Sequence, residues 1–282
     1  MTDETRISIG LEELKSIELG ILKAFDAFCK THDLTYWIAY GTLIGAVRHK
    51  GFIPWDDDID ILMPYDHYRR LLNLLNAGER IGAHYRLDAW GIQGDIKAHT
   101  TIAKVYDIRT RVVYNKLRKS LHIDEGIWLD IFPLVGYPGN GIAQRFLCFK
   151  LDLYDKLAMM STYRFGKGDS WLGTCKRLLS FIPARLMGYS YWLKKYDALV
   201  DACPPLSSTP TCFAPPYSKR CFRSESFANT VYLDFEDGQF AAPAGWDAFL
   251  TAEYGDWQQL PPEDQRYSLH DFEVFWRTEG RL

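Results

Sequence analysis

No run of uncharged apolar residues in this chain reaches the roughly 20 needed to cross a bilayer as a helix. A secretory leader needs a basic region followed by an apolar one, and Asp3 and Glu4 stand where the basic region would be. A cytoplasmic location is therefore expected. A basic surplus is also lacking: the formal net charge of −3 argues against a nucleic-acid partner, whose phosphates would need Lys and Arg in excess. The six cysteines contain no CxxC pair. Cys203, Cys212 and Cys221 are evenly spaced, but structural zinc sites draw on closer pairs, so free thiols are expected. Internal repeats and low-complexity tracts are missing as well. What remains is a chain of 282 residues, 47% apolar and 24% charged, the mixture of a folded protein. That length suits one large domain or a domain carrying an insertion. Aromatic residues make up 15%, a share that core packing absorbs before any sugar-stacking role is invoked.

Periodicity organises the chain. Residues 8–30 carry an apolar face through Leu14, Ile17, Ile21, Leu22, Phe25 and Phe28, which predicts a helix with Ser8 as its cap. A short strand is expected at Tyr36–Ala39. A helix then opens at Gly41-Thr42 and runs to Val47, and a loop covers residues 51–55. Asp58–Leu62 alternates as a strand, and Pro64 suits the first position of a helix that stops near Gly78. Further strands are expected at Tyr85–Ala89, Ile102–Tyr106, Thr110–Tyr114 and Ile127–Phe132. Residues 142–202 turn helical, and the proline-rich stretch 204–216 reads as an irregular connection. Short strands and loops fill the rest, up to an aromatic-rich helix at Phe272–Trp276. The sum is an α/β (α+β) chain in three parts: a catalytic core over 1–140, a mainly helical insertion over 141–225, and a segment over 226–282 that completes the core.

The chemistry concentrates in Gly41 to Asp60. Asp56, Asp57, Asp58 and Asp60 are four carboxylates in five positions, a cluster that repels itself unless a cation neutralises it. Acidic runs are usually solvated, but Trp55, Ile59, Ile61 and Leu62 embed this one in half-buried surroundings. On a strand, Asp58 and Asp60 would share one face, which suits Mg²⁺ (or Mn²⁺) with water and phosphate filling its remaining positions. A calcium loop starting at Asp56 fails, because Ile61 stands where the loop needs Gly and His67 where it needs Glu. Gly41 admits a phosphate close to the backbone, and the helix after it offers its amides to the anion. Asp130 lies inside the apolar run Trp128-Leu129-Asp130-Ile131-Phe132, where an unpaired acid is costly, so it is expected to face the same site.

Gly41-Thr42, a spacer, Asp58-Ile59-Asp60 and a later acid on a strand resemble the nucleotidyltransferase fold shared with DNA polymerase beta-like enzymes. More closely, the run from Gly41 through Trp55 to Asp60 resembles the LicD family of phosphocholine transferases, relatives of fukutin and fukutin-related protein. The likeness continues through Lys104, Asp107 and Thr110, then Asp130-Ile131-Phe132-Pro133-Leu134, then Phe240 to Pro243, and Leu250 to Trp257 before Leu260-Pro261-Pro262. Val135-Gly136 departs from the family, which often has an acid there, and residues 141–223 match no familiar pattern.

The resemblance implies a nucleotidyltransferase-like mixed sheet with flanking helices. It also implies transfer of a phospho-alcohol group from a CDP-linked alcohol donor to a hydroxyl of a cell-surface glycan acceptor, which can be lipid-linked. Asp58, Asp60 and Asp130 would be catalytic, and the same three with Asp56 would hold the metal. Asp57 is a supporting or secondary ligand. Gly41, Thr42, Arg48, His49, Lys50 and Lys104 would bind the donor phosphates, although a short basic cluster also suits a solvated turn. A glycosyltransferase with an Asp-x-Asp site is the competing class and should show βαβ units ahead of the acids; an inactive relative is the other. Residues 171–195 mix basic, aromatic and apolar side chains. They read either as a peripheral contact with an anionic membrane face or as a helical piece packed inward.

Overall fold

The computed structural model describes residues 7–92, 101–114, 125–139, 141–162, 182–215, 220–267 and 272–277. Helix α1 (Leu11–Thr31) buries Leu14, Ile21, Leu22, Phe25 and Cys29. Its first turn carries Glu12 and Glu13, which complement the helix dipole. Ser8 does not cap it. Gly10 occupies that position, because residues 7–9 are drawn out as an extended segment against Phe272–Trp276, with Ile9 N donating to Val274 O and Trp276 N to Ile7 O.

After β1 (Trp37–Ile38), helix α2 spans Tyr40–Arg48, and β2 spans Asp60–Pro64. The expected strand was Asp58–Leu62. The ladder starts later because Asp60, opposite Asp130, is the first residue registered with β6 (Trp128–Gly136), and β1 joins from the other side at Ile61 and Leu62. Asp58 thus precedes the strand, so alternation does not set its direction. Pro64 ends β2 with extended backbone and leads into α3 (Tyr65–Asn76) rather than being its first residue. The helix stops where Gly78 takes φ +105°.

Strands β3 (Tyr85–Asp88) and β4 (Ala103–Asp107) complete a sheet of order β1-β2-β6-β4-β3. β2 and β6 run parallel, whereas the other pairs along this path are antiparallel. β6 outruns the expected Ile127–Phe132 and pairs beyond it with β7 (Thr211–Phe213), a strand inside the stretch expected to be irregular. Strand β5 (Thr110–Tyr114) pairs with Phe272–Trp276, which is a strand and not the expected helix. Five residues, four of them aromatic or β-branched, are too short to nucleate a helix, and alternation buries Val274 opposite Val112. Asp107, Thr110 and Gly126 form a knot at this junction: Thr110 Oγ1 donates to Asp107 O and accepts from Ile127 N.

Helices α4 (Gly141–Thr162) and α5 (Tyr189–Asp201) pack together over a smaller core of Val135, Tyr137, Leu151, Tyr196, Val200 and Phe213. The opposite face of α4 exposes Ile142, Phe146, Phe149 and Leu153, spaced along one stripe. Residues 171–181 lie outside the described residues. Within the rest of that stretch, Trp192 turns inward against Tyr154 and donates to Ala184 O. No helix of the described residues is long and apolar enough to cross a membrane. Cys29, Cys148, Cys203, Cys212 and Cys221 are free thiols. Strand β8 (Phe222–Arg223), paired with β7, the hairpin of β9 (Thr230–Phe235) and β10 (Gly238–Pro243), and helix α6 (Trp246–Tyr254), where only strands and loops were expected, close the core behind α2.

Gly45 marks how tightly α2 is held: a Cβ there would stand 2.4 Å from the Gly51 carbonyl oxygen. Gly45→Ala should destabilise the protein by about 1–3 kcal/mol, the usual cost of overpacking against backbone. Gly141→Ala meets nothing within 4 Å and should be neutral to within roughly 0.5 kcal/mol. Urea unfolding of both variants checks the pair.

Candidate active site

Strand register assembles the site. Asp60 lies opposite Asp130, Asp130 opposite Lys104, and Lys104 opposite Asp88, so four charged side chains from four strands share one row on one face. Lys104 Nζ stands 3.2 Å from Asp130 Oδ1 and 3.8 Å from the centre of the Trp128 ring. Trp128 Nε1 donates to Asp130 Oδ2 at 3.1 Å. Asp130 is therefore aimed by a lysine on one oxygen and an indole on the other. Its strand position lies directly opposite Asp60.

Asp56, Asp57 and Asp58 precede this row, and one carboxylate oxygen from each lies within 4.8 Å of the others. Gly41 makes their position possible, because a Cβ there would be 2.6 Å from Asp56 Oδ2. Thr42 Oγ1 accepts from the Asp60 amide at 2.9 Å and so fixes the start of β2. Tyr40, at the turn into α2, takes φ +46°, a strained value for a residue with a Cβ. Its ring is wedged edge-on against Phe132 and tilted against Phe249. Lys15 on α1 donates to Pro54 O at 2.9 Å and to Ile53 O, tying down the loop that leads to the aspartates.

Arg48, His49 and Lys50 sit at the other end of α2 from Gly41, roughly 10 Å along a nine-residue helix. Arg48 donates to His49 Nε2 and to the Trp257 carbonyl. Lys50 takes φ +59°, and its carbonyl accepts from the Glu236 amide. Among the described residues, Lys104 is the cation whose charge acts on Asp60.

Two acids escaped the sequence reading. Glu18 on α1 is 2% exposed, and its Oε2 has no hydrogen-bond partner among the described residues. Burial, then the charges of Asp58, Asp57, Asp56 and Asp130, hold its carboxyl well above the usual range. The signal was an acid at helical spacing between Leu14, Ile21 and Leu22, on the face that should have been apolar. Asp88 is the other: burial and then the Glu125 carboxylate push it up to about 7, against the pull of Lys104. Asp60 is raised in the same way, by burial first and then by Asp58, Asp130 and Asp56. Carboxylates of this density with an orphaned buried oxygen beside them fit a hard divalent cation, and Asp56, Asp57 and Asp58 could hold one.

A short helix opening at Tyr40 and Gly41, an acid at the start of a strand, and a partner acid on the adjacent parallel strand are the features on which the resemblance to the nucleotidyltransferase fold rests. Residues 33–144 match the family model described as LicD/FKTN/FKRP, nucleotidyltransferase domain. Over 95% of its length the chain is 29% identical to the lipopolysaccharide cholinephosphotransferase LicD of Haemophilus influenzae, covering 98% of that protein. An uncharacterized Rickettsia prowazekii protein is 35% identical over 27% of the chain and 32% of its own length. Mannosyltransferase regulator 4 of Saccharomyces cerevisiae is 32% identical over 20% of the chain and 5% of its own length.

Asp88 gives the pH test. Its folded value exceeds the unfolded value near 3.9, so its neutral form favours the folded state and that contribution fades as pH rises from about 4 through 7. Metal-free protein should lose about 1 kcal/mol between pH 6 and pH 8 through this group. Urea unfolding at both values should show a smaller loss for Asp88→Asn than for the wild type.

Proposed function

We propose that the chain transfers a phospho-alcohol group from a CDP-linked donor to a hydroxyl of a cell-surface glycan. The observation that carries this reading is the row Asp60–Asp130–Lys104, two acids and a cation in register beside a crowd of further aspartates. The full-length likeness to a lipopolysaccharide cholinephosphotransferase supports a CDP-choline-type donor and a lipopolysaccharide-type acceptor. The rival glycosyltransferase reading needs βαβ units ahead of the acids, and among the described residues α1, β1 and α2 stand there instead.

Asp56, Asp58, Asp60 and Asp130 would hold Mg²⁺ or Mn²⁺, with Asp57 in support, and the ion when bound supplies charge neutralisation to the donor diphosphate. Lys104, already beside Asp130, is poised to take a phosphate oxygen. Gly41 and Thr42 leave the α2 amides open to the diphosphate. Asp130 accepts the proton of the attacking glycan hydroxyl as the new oxygen–phosphorus bond forms and the bond to CMP breaks. The proton then passes to solvent and CMP leaves. Arg48, His49 and Lys50 lie farther off and contribute at most to the outer part of the donor.

The acceptor side is the helical region. Ile142, Phe146, Phe149 and Leu153 form an exposed apolar stripe on α4, which also carries Arg145 and Lys150, the latter with its ammonium over the Phe146 ring. Such a surface suits the anionic face of a membrane bearing a lipid-linked acceptor.

CMP release from CDP-choline, CDP-ethanolamine, CDP-ribitol and UDP-sugars tests the donor class. Asp58→Asn and Asp60→Asn should each abolish turnover, as should EDTA, and wild-type rates in either variant would remove the assignment. Asp130→Asn should slow transfer by about 10²–10⁴-fold while donor affinity changes little. For the membrane, the protein should float with anionic vesicles at low salt and not with neutral ones. Replacing Phe146 and Phe149 with Ser should abolish that flotation.

A further inference from the structure

A cleft of about 900 Å³ opens at the far end of β2 from the acids, a size within the range that ligand sites occupy. β2 starts at Asp60 and ends at Pro64, which lines the cleft, so roughly 13 Å of strand separates the two places. One side is formed by Thr35, Trp37 and the first turn of α3, the other by side chains drawn from residues 205–211 and 223–230. Those last two segments lie outside the matched residues 33–144. The proline-rich side, which the transfer chemistry leaves unused, is built as a fixed wall. Gly136 N donates to Pro204 O, Tyr137 N to Thr211 O and Ser224 N to Pro210 O. A Cβ on Gly136 would collide with Thr209 Oγ1, so the wall closes up only because glycine stands here, where the chain departs from the LicD pattern. The facing side is tied as well. Trp37 Nε1 donates to Thr230 Oγ1 at 2.9 Å, and the Thr35 amide donates to His67 Nδ1 at 2.8 Å.

The lining selects a ligand class. Hydroxyls of Thr35, Ser207, Thr209, Thr211 and Thr230 surround the space. Thr209 Oγ1 spends its proton on Thr211 O and keeps lone pairs to offer, whereas Thr230 Oγ1 accepts from Trp37 and keeps its proton. His67, with Nδ1 engaged, presents an Nε2–H. The cleft therefore both donates and accepts, and Pro205, Leu206 and Pro210 add apolar surface between these groups. Charge is nearly absent from it. The Arg223 guanidinium is paired with Glu225 at 2.7 Å, and the Asp66 side chain is 76% exposed and solvated. No lysine or unpaired arginine lines the space to take a phosphate or carboxylate, and no buried acid calls for an ammonium. A sugar ring is the complement: hydroxyls that donate and accept, on a C–H frame that packs on apolar surface. We propose that this cleft is a non-catalytic binding site for a neutral saccharide. It shares no residue with the acid site, and a saccharide held there is too far from Asp60 and Asp130 to be the reacting group. The binding stands whether or not the transfer reading does.

The test is a glycan array carrying neutral and acidic oligosaccharides, probed with the full chain in EDTA and followed by calorimetry on a neutral saccharide that binds. Neutral members should be retained, and their phosphorylated or sialylated counterparts should bind no better. Ser207 and Ala228 are exposed residues of the lining, so Ser207→Trp or Ala228→Trp would fill the cleft without disturbing the core. Each should weaken saccharide binding roughly tenfold or more, the scale of losing about two neutral hydrogen bonds, while urea unfolding stays as in the wild type. Asp60→Asn should bind the saccharide as the wild type does, which separates the cleft from the acid site. A silent array, a preference for acidic members, binding that survives both tryptophan substitutions, or binding lost with Asp60→Asn would each overturn the inference. None of these outcomes touches the transfer reading, which CMP release tests on its own.

Discussion

Mutual repulsion among carboxylates is the constraint around which this molecule is arranged. Asp56, Asp57, Asp58, Asp60, Asp130 and Glu18 act on one another at the start of β2, and burial makes each interaction stronger than it would be in water. A fold has no stability reason to assemble such a set. The surrounding packing holds it in place: Lys15 pins the loop before the aspartates, Tyr40 is wedged in a strained turn, and Gly41 gives up a side chain so that Asp56 can approach. Strain and repulsion at one place, held by a well-packed core, mark a site arranged for a ligand that brings positive charge.

The sheet supplies the geometry. Register alone brings Asp60, Asp130, Lys104 and Asp88 into line, although they are separated widely in sequence. Trp128, two residues before Asp130 on the same face, then aims the acid. The knot of Asp107, Thr110 and Gly126 holds the strands at this spacing: a Cβ on Gly126 would stand 2.0 Å from the Asp107 carbonyl oxygen. Asp107 and Thr110, which belong to the stretch resembling the LicD family, thus serve the architecture of the site and not its chemistry. Behind the sheet, α1 contributes both a tether and an acid from a segment upstream of the matched domain.

Much of this was legible in the sequence, because short-range pattern fixes what short-range physics decides. The glycine turn into α2, the strand at Thr110–Tyr114 and the inward position of Asp130 all followed from alternation and from the cost of burying an acid. Phe272–Trp276 was misread because aromatic content says little about helix or strand until a partner strand is known. Asp58 was misplaced because the start of a ladder depends on where neighbours begin. Glu18 left a trace, a charge on an apolar helix face. Asp88 left none, since only cross-strand register shows that it continues the row of Asp130 and Lys104.

The central claim is that the acids are held together for a cation and not for stability, and melting curves test it most directly. Mg²⁺ or Mn²⁺ should raise the melting temperature of the wild type. Asp58→Asn and Asp60→Asn should melt at or above the metal-free wild type and lose most of the metal response. Substitutions that lower the metal-free melting temperature, in a protein whose stability ignores divalent cations, would contradict the account.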